Sequence, residues 1–175
     1  MRWTAGSSFF DYLMSDESAW DRLVERHPGF AKFARVLLDE TRARRVDMAD
    51  VARMVDVDLD SLIALANGDA PDGPLREGRW PLPEIGCGCR ARAAEGRSID
   101  LRPVFERGEE PLCLLLDAAE ATAAGEMLTI TAPFHPLPLR RLLAGRGFAS
   151  LASGLPDGAW QVVFQRGYVD GSARG

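Results

Sequence analysis

Apolar positions in the first 68 residues recur at helical spacing. Phe9, Phe10, Leu13 and Met14 predict a short amphipathic opener, and Asp16 or Ser15 is placed to cap a second helix carrying Trp20, Leu23 and Val24. His27-Pro28 ends that helix. Pro28 suits the first turn of the next, where a missing N–H costs nothing. Phe30, Phe33, Ala34, Leu37 and Leu38 then predict one apolar stripe along a single helix. Asp47 is placed to cap a further helix, with Asp50 at the capping-box position and Met48, Val51, Ala52 and Val55 inside. Asp58 caps a last one holding Leu59, Leu62, Ile63 and Leu65, and Gly68 ends it in a left-handed turn. Helices this short are not stable alone, so they share one core. The expectation is a small helical bundle over residues 1–68.

Residues 69–97 break the pattern. They are rich in Pro, Gly and Arg, and 29 residues is long for a connection inside a domain, so a linker is read here. Trp80, Leu82 and Ile85 predict that its middle packs on a domain surface. From residue 98 strand and helix patterns alternate. Ile99 and Leu101 mark a first strand. Leu112, Leu115, Leu116 and Ala119 mark a helix beginning at Pro111 and ended by Gly125. Leu128 and Ile130 give a second strand, residues 136–147 a second helix, and 148–155 and 159–166 two strands joined at Pro156-Asp157-Gly158. The expected order is β-α-β-α-β-β over 98–167, followed by a tail at 168–175. The fold class is α+β: a helical bundle, then a two-layer α/β sandwich.

Composition changes this picture little. Apolar residues make up 46% of the 175 and charged residues 27%, both ordinary for a chain with a core. A net charge of −5 argues against general nucleic-acid binding, which draws on phosphate neutralisation. No apolar run reaches the roughly 18 residues of a membrane span, and the N-terminus turns acidic where a signal peptide would continue apolar. A cytoplasmic location is expected, without membrane or nucleic-acid partners. Lys32 is the only lysine, which reads as codon bias toward arginine. Three cysteines do not make a disulfide framework.

Five short motifs in the second half carry a resemblance. They are Ile99-Asp100-Leu101-Arg102-Pro103, Glu110-Pro111, Gly125-Glu126, His135-Pro136-Leu137-Pro138-Leu139 and Trp160-Gln161-Val162. In these motifs the segment resembles the TusA/SirA-like family, and more closely an uncharacterised branch of it that lacks the family's cysteine. The resemblance implies a two-layer sandwich. In the sulfur carriers of that family a Cys-Pro-x-Pro motif opens the first helix, where the helix dipole favours a thiolate or persulfide. Here Arg107-Gly108-Glu109-Glu110-Pro111 stands in that region. Cys113, two residues into the helix beside its leucines, reads as a buried structural thiol. Sulfur transfer is therefore disfavoured and would require Cys113 to be exposed. The first half more loosely resembles a small uncharacterised helical domain found beside redox and hemerythrin-like modules, through Leu23 to Pro28 and Ala52 to Leu62.

Candidate chemistry rests on few residues. His135, at the start of the second sandwich helix, is read as a ligand contact paired with Arg102 or Glu110, against the plainer reading of a helix-capping loop residue. His27 has a similar but weaker case. Arg102 with Arg140 and Arg141 offers an anion pocket, although exposed arginines are routine. Cys87-Gly88-Cys89 supplies half of a zinc or iron site, a redox pair, or an incidental linker sequence; a full site needs about four ligands, which two chains of a homodimer would provide. Val46 to Gly68 has the outline of a helix-turn-helix, but its second helix opens Asp58-Leu59-Asp60-Ser61 with no basic residue, so packing explains it better.

The resulting expectation is a non-enzymatic or cryptically enzymatic binding or accessory module, with a protein partner or a small anionic or redox ligand. The resemblance places it in redox, sulfur or nitrogen-oxide metabolism. The rival reading is a metal or redox centre at Cys87 and Cys89 with zinc or iron. That rival predicts bound metal in anaerobically purified protein, lost in a Cys87→Ser/Cys89→Ser variant. Metal-free protein by elemental analysis removes it.

Overall fold

Two short aspartate-capped helices show why the first half folds as it does. In the computed structural model, which describes residues 2–70, 73–85 and 96–167, Asp47 Oδ1 accepts from the Asp50 N–H at 2.7 Å and Asp58 Oδ1 from the Ser61 N–H at 3.0 Å. These bonds satisfy first-turn donors that have no partner inside a helix. The helices they start are the sixth and seventh of a series: α1 (Phe9–Ser15), α2 (Ala19–Arg26), α3 (Gly29–Lys32), α4 (Ala34–Leu37), α5 (Glu40–Ala43), α6 (Met48–Val55) and α7 (Leu59–Ala66). The chain divides into two compact units, Met1–Trp80 and Pro81–Gly175.

In the first unit Phe9, Tyr12, Leu23, Phe30, Leu37, Met48 and Leu62 are fully enclosed. The single stripe expected from Phe30 to Leu38 is broken. The backbone kinks at Phe33 (φ −105°, ψ 11°), and two one-turn helices, α3 and α4, stand where one was expected, with α5 following. The kink resets the phase, so Val36 is buried and Leu38 is 54% exposed. Met14, expected inside, is 69% exposed, and Tyr12 takes the inner position. Neither Ser15 nor Asp16 caps α2. Asp16 instead organises the turn before it, accepting from the Ser18 N–H and hydroxyl. Those bonds and Arg22 hold its carboxyl down to about 2.

The α6–α7 turn is built for packing. Asp56 takes the left-handed conformation (φ 68°), Val57 is fully buried and pairs as a bridge with Glu77, and the Gly78 N–H donates to Asp56 O. Residues 73–80, inside the stretch read as a linker, are thus tied into this unit, and Leu75 N–H also donates to Arg26 O. Gly68 (φ 77°) ends α7 as expected, with the Asp69 N–H reaching back to Ala64 O.

The second unit contains β1 (Arg97–Asp100), α8 (Arg102–Glu106), α9 (Leu112–Glu120), β2 (Met127–Ala132), α10 (Leu137–Gly145), β3 (Phe148–Gly154) and β4 (Trp160–Arg166). The sheet order is β1-β2-β4-β3, parallel between β1 and β2 and antiparallel elsewhere. Leu128, Ile130, Phe148, Val162 and Phe164 from the strands meet Leu115, Ala118, Ala119 and Leu143 from α9 and α10 in one core. Two expectations change here. β1 ends at Asp100, because Leu101-Arg102-Pro103 opens the extra helix α8 with proline in its first turn. α9 stops at Glu120, and Gly125 (φ 83°) serves the following turn. Arg166 closes that helix end, Nη1 donating to the carbonyls of Ala119 (3.1 Å) and Thr122 (2.7 Å). Among the described residues no helix is long and apolar enough to cross a membrane.

Asn67 joins the two ends of the first unit. Its Oδ1 accepts from the Trp3 N–H at 2.8 Å, and its Nδ2 donates to Trp3 O and Ile63 O, each at 3.0 Å. Asn67→Ala leaves these part-buried groups unpaired and is expected to cost about 1–3 kcal/mol. A lowered urea midpoint for residues of the first unit, read by amide exchange, checks this; an unchanged midpoint contradicts it.

Candidate functional site

The C-terminal ends of β1 and β2 and the start of β4 lie side by side, since Asp100 pairs with Thr131 and Ala132 with Trp160. In sheets with parallel strands this edge is where loops and helix starts converge on ligands. Here the edge carries Arg102 after β1, Phe134 and His135 after β2, and Trp160 at the start of β4.

Arg140 lies in the first turns of α10 and is only 9% exposed. Helical side chains lean toward the N-terminal end of their helix, so its guanidinium folds back toward the start of α10. Its Nε donates to Ser150 Oγ at 3.0 Å, and its Nη1 lies 3.1 Å from His135 Nε2. A guanidinium can only donate, so His135 Nε2 accepts and the ring proton sits on Nδ1. Burial and the Arg140 charge both push the His135 imidazole below its ordinary value. Its ring also packs on Trp160, with centroids 4.5 Å apart. Burial likewise lowers Arg140.

The partners of Arg140 are thus neutral. The carboxylate whose field reaches it is Glu84, exposed on the 81–85 segment, which forms no ion pair with it among the described residues. That segment is held against β3 by the Ser150 N–H donating to Pro83 O at 2.8 Å. The remaining guanidinium nitrogen, Nη2, has no partner among the described residues. The start of α10 adds to the positive character. Its cap residue is Pro136, no side chain caps it, Pro138 has no N–H, and the Leu139 N–H has no backbone partner among the described residues. Among the described residues Arg140 is a buried cation with neutral partners beside an uncapped helix start, and burying a charge without a counter-charge is costly.

The other residues read as site candidates lie differently. Arg102 is engaged by two carboxylates: Nε and Nη2 reach Asp100, with Nη2 to Oδ2 at 2.6 Å, and Nη1 reaches Asp157 Oδ2 at 3.0 Å. Its hydrogen bonds hold Asp100 below the usual carboxylate range. The expected pairing of His135 with Arg102 or Glu110 is replaced by His135 with Arg140, because one helical turn brings residue 140 back to the helix start. Glu110 is half-buried ahead of Pro111 and makes no ion pair with these residues. Cys113 is half-exposed, contrary to the buried thiol expected, because it lies off the face that buries Leu112, Leu115 and Leu116. Cys87 and Cys89 lie outside the described residues; among those described, no cluster of three metal-ligating side chains occurs. His27 packs edge-on against Phe30.

Ser150, Trp160 and Glu84 were not anticipated as neighbours of this site. One signal was available: Ser150 is a polar residue at an inward position of β3, between Phe148 and Ala152, and buried polar groups need partners.

Residues 98–166 match a family described as an uncharacterised conserved protein, DUF2249. The matched DUF2249 segment takes in β1 to β4 and both Arg140 and His135, while Glu84 lies outside it. No curated protein and no solved structure matches the chain.

The depressed His135 predicts a pH dependence with a defined sign. Its folded value lies below the unfolded value of about 6.5. Unfolding therefore takes up a proton, and the stability contribution is complete above about pH 6.5 and is lost as pH falls through the folded value. His135→Gln, which keeps an acceptor, is expected to flatten this acid-side loss. Urea midpoints read from the Trp160 indole resonance across that window check it; parallel profiles for both proteins contradict it.

Proposed function

We propose that the protein is a non-catalytic binding module whose second unit, a TusA/SirA-like sandwich without the relay cysteine, takes up a small anion at Arg140. The single observation that carries this reading is Arg140, a residue only 9% exposed whose guanidinium is bonded, among the described residues, to Ser150 and His135 alone. Burying a guanidinium without a counter-charge is costly, and a bound anion offsets that cost. The mixed sheet, with α9 and α10 sharing one core with it, supports the sandwich assignment. The family resemblance supports a setting in redox, sulfur or nitrogen-oxide metabolism, with a cytoplasmic location and a role accessory to another protein. Phe134, half-exposed and edge-on to Phe105 at 4.9 Å, offers such a protein an apolar contact at the same sheet edge.

Thiosulfate, sulfate and nitrite are suitable probes. Titrating each into the isotope-labelled full chain is expected to give saturable shifts of the Arg140 Nε–H and the Trp160 indole, with affinity of about millimolar or tighter. Arg140→Met abolishes them. Arg102→Met, which removes an arginine already held by Asp100 and Asp157, leaves them. Absence of saturable shifts, or their survival in Arg140→Met, overturns the proposal.

A further inference from the structure

His135 has a second consequence for any anion bound at Arg140. In the free protein its Nε2 is an acceptor for Arg140 Nη1, with the imidazole neutral. Among the described residues the charged groups that bear on it are few. Arg140 on α10 faces it, Glu84 on the 81–85 segment acts through Arg140, and the groups from β3 and β4 are the uncharged Ser150 and Trp160. A monoanion placed on Nη2 neutralises the guanidinium and leaves the His135–Arg140 hydrogen bond intact. A dianion leaves one negative charge uncompensated in a site where Arg140 is 9% exposed, and such a charge is expensive there. The imidazole beside it is the group able to supply the missing positive charge. Protonated at Nε2, it can no longer accept from Arg140 and turns its N–H toward the anion. The oxyanion then bridges Nε2–H and the guanidinium at the start of α10, where the Leu139 N–H has no backbone partner among the described residues.

We propose that the Arg140–His135 site binds small divalent oxoanions together with one proton taken from solvent onto His135 Nε2, and thereby prefers dianions over monoanions as pH falls. This inference rests on the reading of Arg140 as an anion site. It adds the ligand's charge class and the proton that accompanies it. The balance is simple: one proton moves from water to His135 on binding, returns on release, and no covalent bond to the anion is made.

The test compares thiosulfate with nitrite on the full chain between about pH 7.5 and about pH 5.5, bracketing the ordinary histidine value of ~6.5. Uptake of one proton allows at most about a tenfold gain in affinity per pH unit. Thiosulfate affinity is expected to rise several-fold toward the acid end and more steeply than nitrite affinity, which gains only from neutralising the Arg140 charge that depresses His135. In the same samples the His135 ring resonances are expected to titrate at higher pH with thiosulfate than without it. His135→Gln should bind thiosulfate with a flat pH profile. Thiosulfate binding that is level or weakens in acid, or an unmoved His135 titration, overturns the proton coupling and leaves the anion site standing. Failure of both anions to bind at any pH overturns the anion site itself.

Discussion

The last strand, β4, holds the second unit together by lying between β2 and β3. It exchanges hydrogen bonds with both neighbours along its whole length, from Trp160 opposite Ala132 and Gly154 to Arg166 opposite Phe148. Its inward residues, Val162 and Phe164, are fully buried in the core shared with α9 and α10. At one end Trp160 backs His135, and at the other Arg166 closes the C-terminus of α9. The strand made last in the chain thus joins both neighbouring strands and the core of this unit. Such long-range pairing requires loop closure before its contacts form, and it ties the site's geometry to completion of the whole sheet.

The site follows from that scaffold. β3 presents Ser150 inward because its neighbours in register, Phe148 and Ala152, face the core, and α10 lays Arg140 against that position. A charged side chain in such a place is normally balanced by a carboxylate. Arg102 is balanced in this way, by Asp100 and Asp157. Among the described residues Arg140 is met only by a hydroxyl and an imidazole. Two arginines of one unit thus differ: Arg102 is half-buried and satisfied by carboxylates, while Arg140 is buried and, among the described residues, has no ion-pair partner.

Much of this was legible where local chemistry decides. The caps at Asp47 and Asp58 and the left-handed stop at Gly68 were readable because each is satisfied within a few residues. The hairpin turn at Pro156-Asp157-Gly158 was readable for the same reason. Legibility failed where packing overrode periodicity. The apolar run from Phe30 to Leu38 scans as one helix, but the kink at Phe33 turns Leu38 outward and Val36 inward. Cys113 sits among leucines in sequence, yet it is one step off the buried face of α9. Arg140 and His135 were both visible as candidates, but their partnership was not, because pairing with Arg102 or Glu110 looked equally open.

By itself the sequence determined the alternation of strands and helices in the second half apart from α8, the caps at Asp47 and Asp58, the low net charge and the lack of a cysteine at Glu110-Pro111. These depend on side-chain spacing and local hydrogen bonding, which are written in consecutive residues. Only the tertiary structure decided which arginine is buried, which tautomer His135 holds and that Ser150 and Trp160 frame it. Burial and pairing arise between residues far apart in the chain, brought together by the register of β3 and β4, and no local pattern specifies that register.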